Sequence, residues 1–309
     1  MESKSRAPLA QLIDGIRRSP FMKPSVVREA IKYRPRDGDI VLVTYPKGGS
    51  HWTQRIIQLL LDRGDGASTY SDFFRRTPIL EYHGAAVVDD MPSPRFFRTH
   101  LQLLRYNFND KTKYVYVARN PWDTCVSLFH YTRRVPKYKF EDGAYGDFFE
   151  AFVTGELCFG EYFDHVLHGY ARKDDPNVFF MTYEELKADA PGMVLKLAYF
   201  LGEEYGKMIE GSEEMFQEVL MKSSFEFMSR VLEPRQKEFS TLVDNSSSYA
   251  DKLSSSGQEG SEDNEFRLFR KGEVNDWQEL FSPDQMQRMQ ARIDQMTKGT
   301  NLMSLWNVK

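Results

Sequence analysis

Long apolar runs are missing from this 309-residue chain. None approaches the roughly 20 residues that a membrane-spanning helix needs, and residues 1–20 hold no apolar stretch of the kind a secretory signal carries. These absences lead to the expectation of a cytoplasmic protein with no membrane partner. Cysteine is scarce: Cys125 and Cys158 are the two, with no CxxC or metal spacing. Both sit in apolar helical patterns and read as reduced core thiols. The six histidines are scattered. Only His165 and His168 share a helical face, without the carboxylate or thiolate partners of a metal site, so they read as ordinary surface or partly buried histidines. An excess of charge is missing too, since 41 Lys and Arg stand against 45 Asp and Glu for a net charge of −4. Broad nucleic-acid binding needs a basic footprint. Any polyanion held here must be gripped by a few placed cations.

What is present is apolar and aromatic: 41% hydrophobic residues, with 23 Phe and 16 Tyr. That supplies a core, and it leaves open whether the aromatics only pack or also line a pocket for a flat ligand. Short β-branched or aromatic runs alternate with amphipathic helical stretches. Asp39–Thr44, Arg95–Thr99, Tyr114–Ala118 and Val178–Met181 read as strands. Helical spacing follows at Trp52–Asp62, with Trp52, Ile56, Leu59 and Leu60 on one face. Asn120-Pro121-Trp122-Asp123 is a capped helix start, and a helix from about Pro191 stops at Leu201-Gly202. The alternation predicts an α/β fold, a single domain with a central parallel sheet flanked by helices. We expect an N-terminal segment over 1–35 and the domain over 36–309. A serine-rich stretch at 236–265 is expected to be a flexible insertion, because it holds few large apolar residues. There is no internal repeat.

In such sheets ligands bind beyond the carboxyl ends of the strands. After the first strand come Lys47, Gly48, Gly49 and Ser50, opening a helix. Glycines let backbone amides approach an anion, and a helix N-terminus adds partial positive charge. The third strand ends in Arg119, with Ser127 two turns into the next helix; this is a second anion site. Arg270-Lys271-Gly272 is a third. The Walker pattern GxxxxGK[ST] is absent because the lysine precedes the glycines. No strand ends in the aspartate that holds Mg²⁺ in phosphoryl-transfer enzymes. The expected ligand is polyanionic, with phosphates at two separated positions, and is gripped without a metal. The second strand ends in Arg98-Thr99-His100, placing an imidazole where it can take a hydroxyl proton near neutral pH.

Thr44 through Trp52 (Thr-Tyr-Pro-Lys-Gly-Gly-Ser-His-Trp) resembles the 5′-phosphosulfate loop, TYPKSGTTW, of the cytosolic sulfotransferases. Arg119-Asn120-Pro121 through Ser127 resembles their 3′-phosphate site, and Arg270-Lys271-Gly272 with Asp276-Trp277 resembles their RKGxxGDW. Ser223 to Met228 is similar to TSFxxM, and Val178 to Glu185 to the strand and tyrosine that contact the nucleotide. The match runs from about residue 35 to the end, and its departures mark a divergent, invertebrate-like member. The resemblance implies P-loop-like binding of the co-substrate 3′-phosphoadenosine 5′-phosphosulfate, released as adenosine 3′,5′-bisphosphate, with no metal. Lys47 would steady the bridging oxygen of the leaving phosphate, and Gly48, Gly49, Ser50 and His51 would complete its loop. Trp52, Tyr183 and Phe225 would surround the adenine, and Ser223 would also bind the co-substrate. Arg119, Ser127, Arg270, Lys271 and Gly272 would hold the 3′-phosphate. His100 would deprotonate a small hydroxylated acceptor, flanked by Arg98 and Thr99.

By rough position, Phe74, Tyr82, Phe97, Tyr131 and Tyr138 are expected to line the acceptor pocket, which favours a phenol, catecholamine or steroid-like alcohol. Several positions depart from the family pattern. Gly48 replaces its serine, His51 a threonine, Asn275 a glycine, and Arg98 the lysine beside the histidine. The dimer motif KxxxTVxxxE reads Gln278 to Gln287 here with its charged ends and Thr-Val core lost, which puts the usual homodimer in doubt. The serine-rich stretch is expected to act as a lid. Two other readings stand beside this one. A catalytically inactive nucleotide-binding homologue is compatible with the altered loop, and a small-molecule kinase would need the missing strand-end carboxylate.

Overall fold

The computed structural model describes residues 7–103, 107–243 and 267–306. Its centre is a parallel sheet of β3 (Ile40–Thr44), β4 (Phe96–Thr99), β5 (Lys113–Ala118) and β6 (Val178–Thr182), in the order β4-β3-β5-β6. It follows a small antiparallel hairpin of β1 (Gln11–Ile13) and β2 (Ile16–Arg18). The turn of that hairpin is Asp14-Gly15, with φ of 51° and 80°, the positive dihedrals that a tight hairpin of this handedness needs.

Side-chain alternation divides the core between the two faces of the sheet. Val41, Val43, Tyr114 and Tyr116 pack into one cluster, while Ile40, Leu42, Val115 and Val117 pack into the other. Every residue of β3 is buried. That is why the strand reads as a continuous apolar run with no polar face. Helices cover both sides: Ser50–Leu61 follows β3, Pro121–Arg134 follows β5, and Tyr183–Ala188 follows β6. Each start matches its local sequence. Asn120 accepts the Asp123 amide at 2.7 Å ahead of Pro121, and Thr182 with Glu185 closes a capping box. Gly202 ends the helix Ala190–Leu201.

The sheet register fixes function, because Thr44 aligns with Val117 and Ala118 with Thr182. The strands therefore end together, and Lys47, His100, Arg119 and Tyr183 all emerge at one edge. Three local expectations change. Residues 7–35 carry the hairpin and a helix Pro24–Lys32, with Ile13, Val27 and Ala30 buried in the core. The serine-rich stretch begins as a helix, Gln236–Val243, whose Phe239, Leu242 and Val243 are buried. Spaced i, i+3, i+4, they form a stripe that composition averaged over 236–265 conceals; residues 244–266, and with them the expected lid, lie outside the described residues. Cys158 sits in a turn and not a helix, although it and Cys125 are buried free thiols as expected.

Candidate active site

A cavity of about 1230 Å³, counting its open mouth, lies at the carboxyl edge of the sheet. The turn after β3 forms its floor. Lys47 holds φ of 70°, a left-handed conformation that costs a side-chain-bearing residue about 1–3 kcal/mol. Gly49, at φ 108°, caps the helix Ser50–Leu61 without any side-chain bond. The first intrahelical bond runs from the Thr53 amide to the Gly49 carbonyl at 3.1 Å. The amides of Ser50, His51 and Trp52 precede it and so remain available to an anion. Gly48 serves differently: its amide donates to the Tyr45 carbonyl at 3.0 Å. A Cβ there would collide with Thr44 Oγ1 and come within 3.0 Å of the Tyr45 carbonyl. Gly48 shapes the turn from below and does not line the cavity.

The half-buried Lys47 ammonium lies 5.0 Å from the Tyr131 ring centroid. Burial, then the neighbouring cations Arg119, Arg270 and Arg134, bring its pKa down to about 7. These positive groups are held together against their mutual repulsion. Arg119 is buried, its guanidinium 4.5 Å from the Tyr183 ring, with Nη2 on the Glu273 carbonyl at 2.8 Å and Nε left without a partner. Ser127 and Arg270 complete the wall, and a small adjoining recess adds His130, Arg134, Arg267 and Lys271. Lys271 is turned to Asp276 at 2.6 Å and Glu279 at 2.8 Å. It reaches that recess but not the main cavity. Asp276 also pairs with Arg270. Cations clustered around an unpartnered buried guanidinium nitrogen fit a polyanionic ligand.

Beside them is a slot of aromatic faces. Trp52 meets Tyr183 edge-on at 5.5 Å, and Phe225 borders the cavity. A Cβ on Gly49 would come within 2.9 Å of the Tyr183 ring, and one on Gly272 would strike Phe225, so both glycines are needed for the close approach. Ser223 is buried, with its hydroxyl donating to the Val219 carbonyl at 2.7 Å. The residue still borders the cavity.

Across the cavity stands His100. Its Nδ1 lies 2.8 Å from the Thr44 carbonyl; the carbonyl can only accept, so Nδ1 carries the proton and Nε2 keeps its lone pair. Burial, then Arg98, lowers its pKa to about 3, and the imidazole is neutral at working pH. Two buried groups hold its backbone. Glu81 accepts the His100 amide at 2.7 Å, and His165 Nε2 donates to the His100 carbonyl at 3.2 Å. His165 is buried, bonded through Nδ1 to the Tyr116 hydroxyl at 2.7 Å, and so is neither a surface nor a partly buried histidine.

The aromatic wall contains Phe74, Tyr82 and Tyr131 as expected, together with Ile79, Phe159, Met228, Phe239 and Phe269. His51 belongs to it, stacked on Tyr70 with Nε2 3.1 Å from the tyrosine oxygen, and beside Phe269. Three expected residues are elsewhere. Tyr138 is buried in the core, bonded to Ser19 Oγ at 3.1 Å. Phe97 packs edge-on against Tyr33. Thr99 donates to Glu81 at 2.7 Å. Sequence reading missed Lys187, which lines the cavity one helical turn after Tyr183, a spacing that could have revealed it. It also missed Glu81 and His165, for which no motif signals.

A doubly covered parallel sheet whose carboxyl edge joins clustered cations, an aromatic slot and a neutral imidazole defines a nucleotide-binding α/β transferase. Comparisons with known proteins narrow that class. The family model of the sulfotransferase domain matches residues 37–301. Rabbit (Oryctolagus cuniculus) amine sulfotransferase is 31% identical over 278 residues, 88% of this chain and 85% of its own. A mouse sulfotransferase solved with PAP shares 25% identity and a TM-score of 0.68, over 96% of this chain and 97% of that one. Retinol dehydratase, solved with androsterone and PAP, shares the fold at a TM-score of 0.69 and 22% identity, over 89% and 87% of the two chains. The chain belongs to the sulfotransferase family. Among the described residues no helix is long and apolar enough to cross a membrane, and no three His, Cys, Asp or Glu are grouped as a metal site.

Proposed function

We propose that this sulfotransferase moves a sulfuryl group from 3′-phosphoadenosine 5′-phosphosulfate to a hydroxyl of a small acceptor with an aromatic body, without a metal. The acceptor proton passes to His100 Nε2. The new O–S bond forms as the S–O bond to the 5′-phosphate breaks, and the electron pair remains on that phosphate beside Lys47. Lys47 and the free amides of the helix Ser50–Leu61 stabilise the charge arriving there, a preorganised electrostatic contribution. Arg119, Ser127 and Arg270 grip the 3′-phosphate, and Trp52, Tyr183 and Phe225 bound the adenine. The two buried free thiols suit a reducing compartment such as the cytoplasm.

One observation carries this reading: the lone pair of the His100 imidazole shares a cavity with the Lys47, Arg119 and Arg270 cations. The mouse relative's bound PAP supports the nucleotide assignment. The test is calorimetry with PAP, adenosine 3′,5′-bisphosphate, followed by transfer of labelled sulfuryl to a phenol panel with and without chelator. Binding together with chelator-insensitive transfer supports the proposal. Absence of PAP binding overturns it, and binding without transfer to any hydroxyl reduces the chain to an inactive nucleotide binder.

A further inference from the structure

Arg98 lines the cavity and is 1% exposed, yet its Nε and Nη1 have no hydrogen-bond partner. No carboxylate forms an ion pair with it among the described residues. The nearby Glu81 is committed, through Oε2 to Thr99 and through Oε1 to the His100 amide, both at 2.7 Å. The guanidinium rests 5.2 Å from the Phe74 ring centroid, which answers little of its need for acceptors. Arginine does not shed its proton to escape burial. Nη2 stands between the two unpartnered nitrogens, so a carboxylate can pair Nη2 with Nε or with Nη1, the bidentate match of a guanidinium.

Position adds a length constraint. Arg98 lies in β4 and His100 directly follows its last residue, Thr99; both side chains line the cavity, roughly 7 Å apart for residues i, i+2 of an extended chain. Phe74, Ile79 and Tyr82 form the adjacent apolar wall. The cavity's charged residues, Lys47, Arg98, Arg119, Lys187 and Arg270, are all positive, with no Asp or Glu among the described lining. Lys47, Arg119 and Arg270 are answered by the nucleotide phosphates, whereas a cationic acceptor beside Arg98 would find no carboxylate among the described lining to pair with.

We propose that the acceptors this enzyme selects are hydroxylated aromatic acids, with the hydroxyl at His100 and a carboxylate on the Arg98 fork. The placement of the hydroxyl rests on the sulfuryl-transfer reading above; the carboxylate contact does not. This choice runs against a catecholamine and towards phenolic acids.

The experiment compares 4-hydroxyphenylacetate, its neutral amide and the cationic tyramine as acceptors in wild type, Arg98→Met and Arg98→Lys. We expect wild-type kcat/KM to favour the acid over the amide by about tenfold or more, as for a desolvated charge pair, with tyramine below both. Arg98→Met should bring the acid-to-amide ratio to about one or below, and Arg98→Lys should keep the acid ahead by a smaller margin, lacking the fork. A wild-type ratio near one, or a ratio unchanged in Arg98→Met, overturns the proposal. PAP binding checks that each variant is folded. Should Arg98→Met not fold, unreactive phenylacetate and phenylacetamide are titrated into the wild-type PAP complex; tighter binding of the acid supports the contact and equal binding sinks it. That arm needs no turnover. Selective binding without transfer would remove the proposed reaction and leave the Arg98 contact standing, whereas transfer without selectivity would do the reverse.

Discussion

Lys47 is where backbone strain, burial and like charge meet. With no anion bound, its pKa of about 7 means the ammonium is only partly populated at neutral pH. A bound anion favours the charged form and raises that pKa. The sign follows: nucleotide affinity should be greater near pH 7, where free Lys47 is partly charged, than at higher pH, while below about pH 6 protonation of the phosphate monoesters opposes any further gain. Above pH 7 it should fall by up to about tenfold per pH unit, until the pKa of the bound form is reached. Calorimetry of PAP binding at pH 8 in buffers of different ionisation enthalpy should show proton uptake approaching one per site. Lys47→Arg should abolish that uptake, and uptake that survives it would assign the proton elsewhere. His100 makes a second prediction. His100→Ala should lower kcat by roughly 10²–10⁴-fold, the range for a positioned general base, with PAP affinity nearly unchanged. A variant that keeps wild-type kcat would remove His100 from the reaction. At this scale the sequence was informative about charge and less so about direction. Arg98, in β4, and His100, just past its end, both line the cavity, while Thr99 and Phe97 point the other way, to Glu81 and Tyr33. The strict alternation of a strand excludes three consecutive pocket residues there, so Thr99 was misplaced by a rule that the sequence itself supplies.

Elements inherit their roles from the ends of the strands. The four strands of the central sheet were readable because β3, β4 and β5 are buried nearly throughout and β6 is half-buried at Phe179 and Phe180, which leaves apolar runs bounded by polar turns. Their shared edge follows from parallel pairing, and so the convergence of the strand-end turns carrying Lys47, Arg119 and Tyr183 on one cavity was readable too. The helix Gln236–Val243 was lost in a polar window, although Phe239 from it reaches the cavity. Asn275 shows how a departure from a family pattern becomes intelligible once dihedrals are known. It stands where the resemblance places glycine, and it takes φ of 65°, a conformation that asparagine adopts far more readily than most residues. The turn is thereby kept. Asn275→Gly should be close to neutral in thermal unfolding, while Asn275→Ala should cost about 1–2 kcal/mol, the penalty of a left-handed residue bearing a Cβ. Equal melting temperatures for the two variants would show that the side-chain amide, and not φ, sets the preference.

Across the whole molecule the site is assembled from segments far apart in sequence, and a buried carboxylate ties the last of them to the sheet. Asp123, in the first turn of the helix after β5, is 1% exposed. Its Oδ2 accepts from the Asn275 amide and from Asn120 Nδ2, each at 2.9 Å, and its Oδ1 accepts from the Trp277 amide at 3.2 Å. Glu184, beside Tyr183, repeats the device by accepting from Asn120 and from Trp306 Nε1 at 2.8 Å. The segment carrying Arg270 and Gly272 is thus positioned by Asp123, which does not line the cavity, as well as by Arg119 through the Glu273 carbonyl. Asp123→Asn keeps the size but replaces one acceptor with an N–H donor that faces a backbone amide. It should lower stability by about 1–3 kcal/mol, the cost of a buried donor left unmatched. It should also weaken PAP several-fold, although residue 123 never touches the ligand, because Arg270 loses its fixed seat. A double-mutant cycle separates this from general loosening. In an Arg270→Ala background the part of the affinity cost of Asp123→Asn that runs through Arg270 should vanish, leaving what passes through the Asp123–Arg119 ion pair at 3.6 Å, while its stability cost persists. If both costs persist in full, Asp123 supports the fold without positioning Arg270.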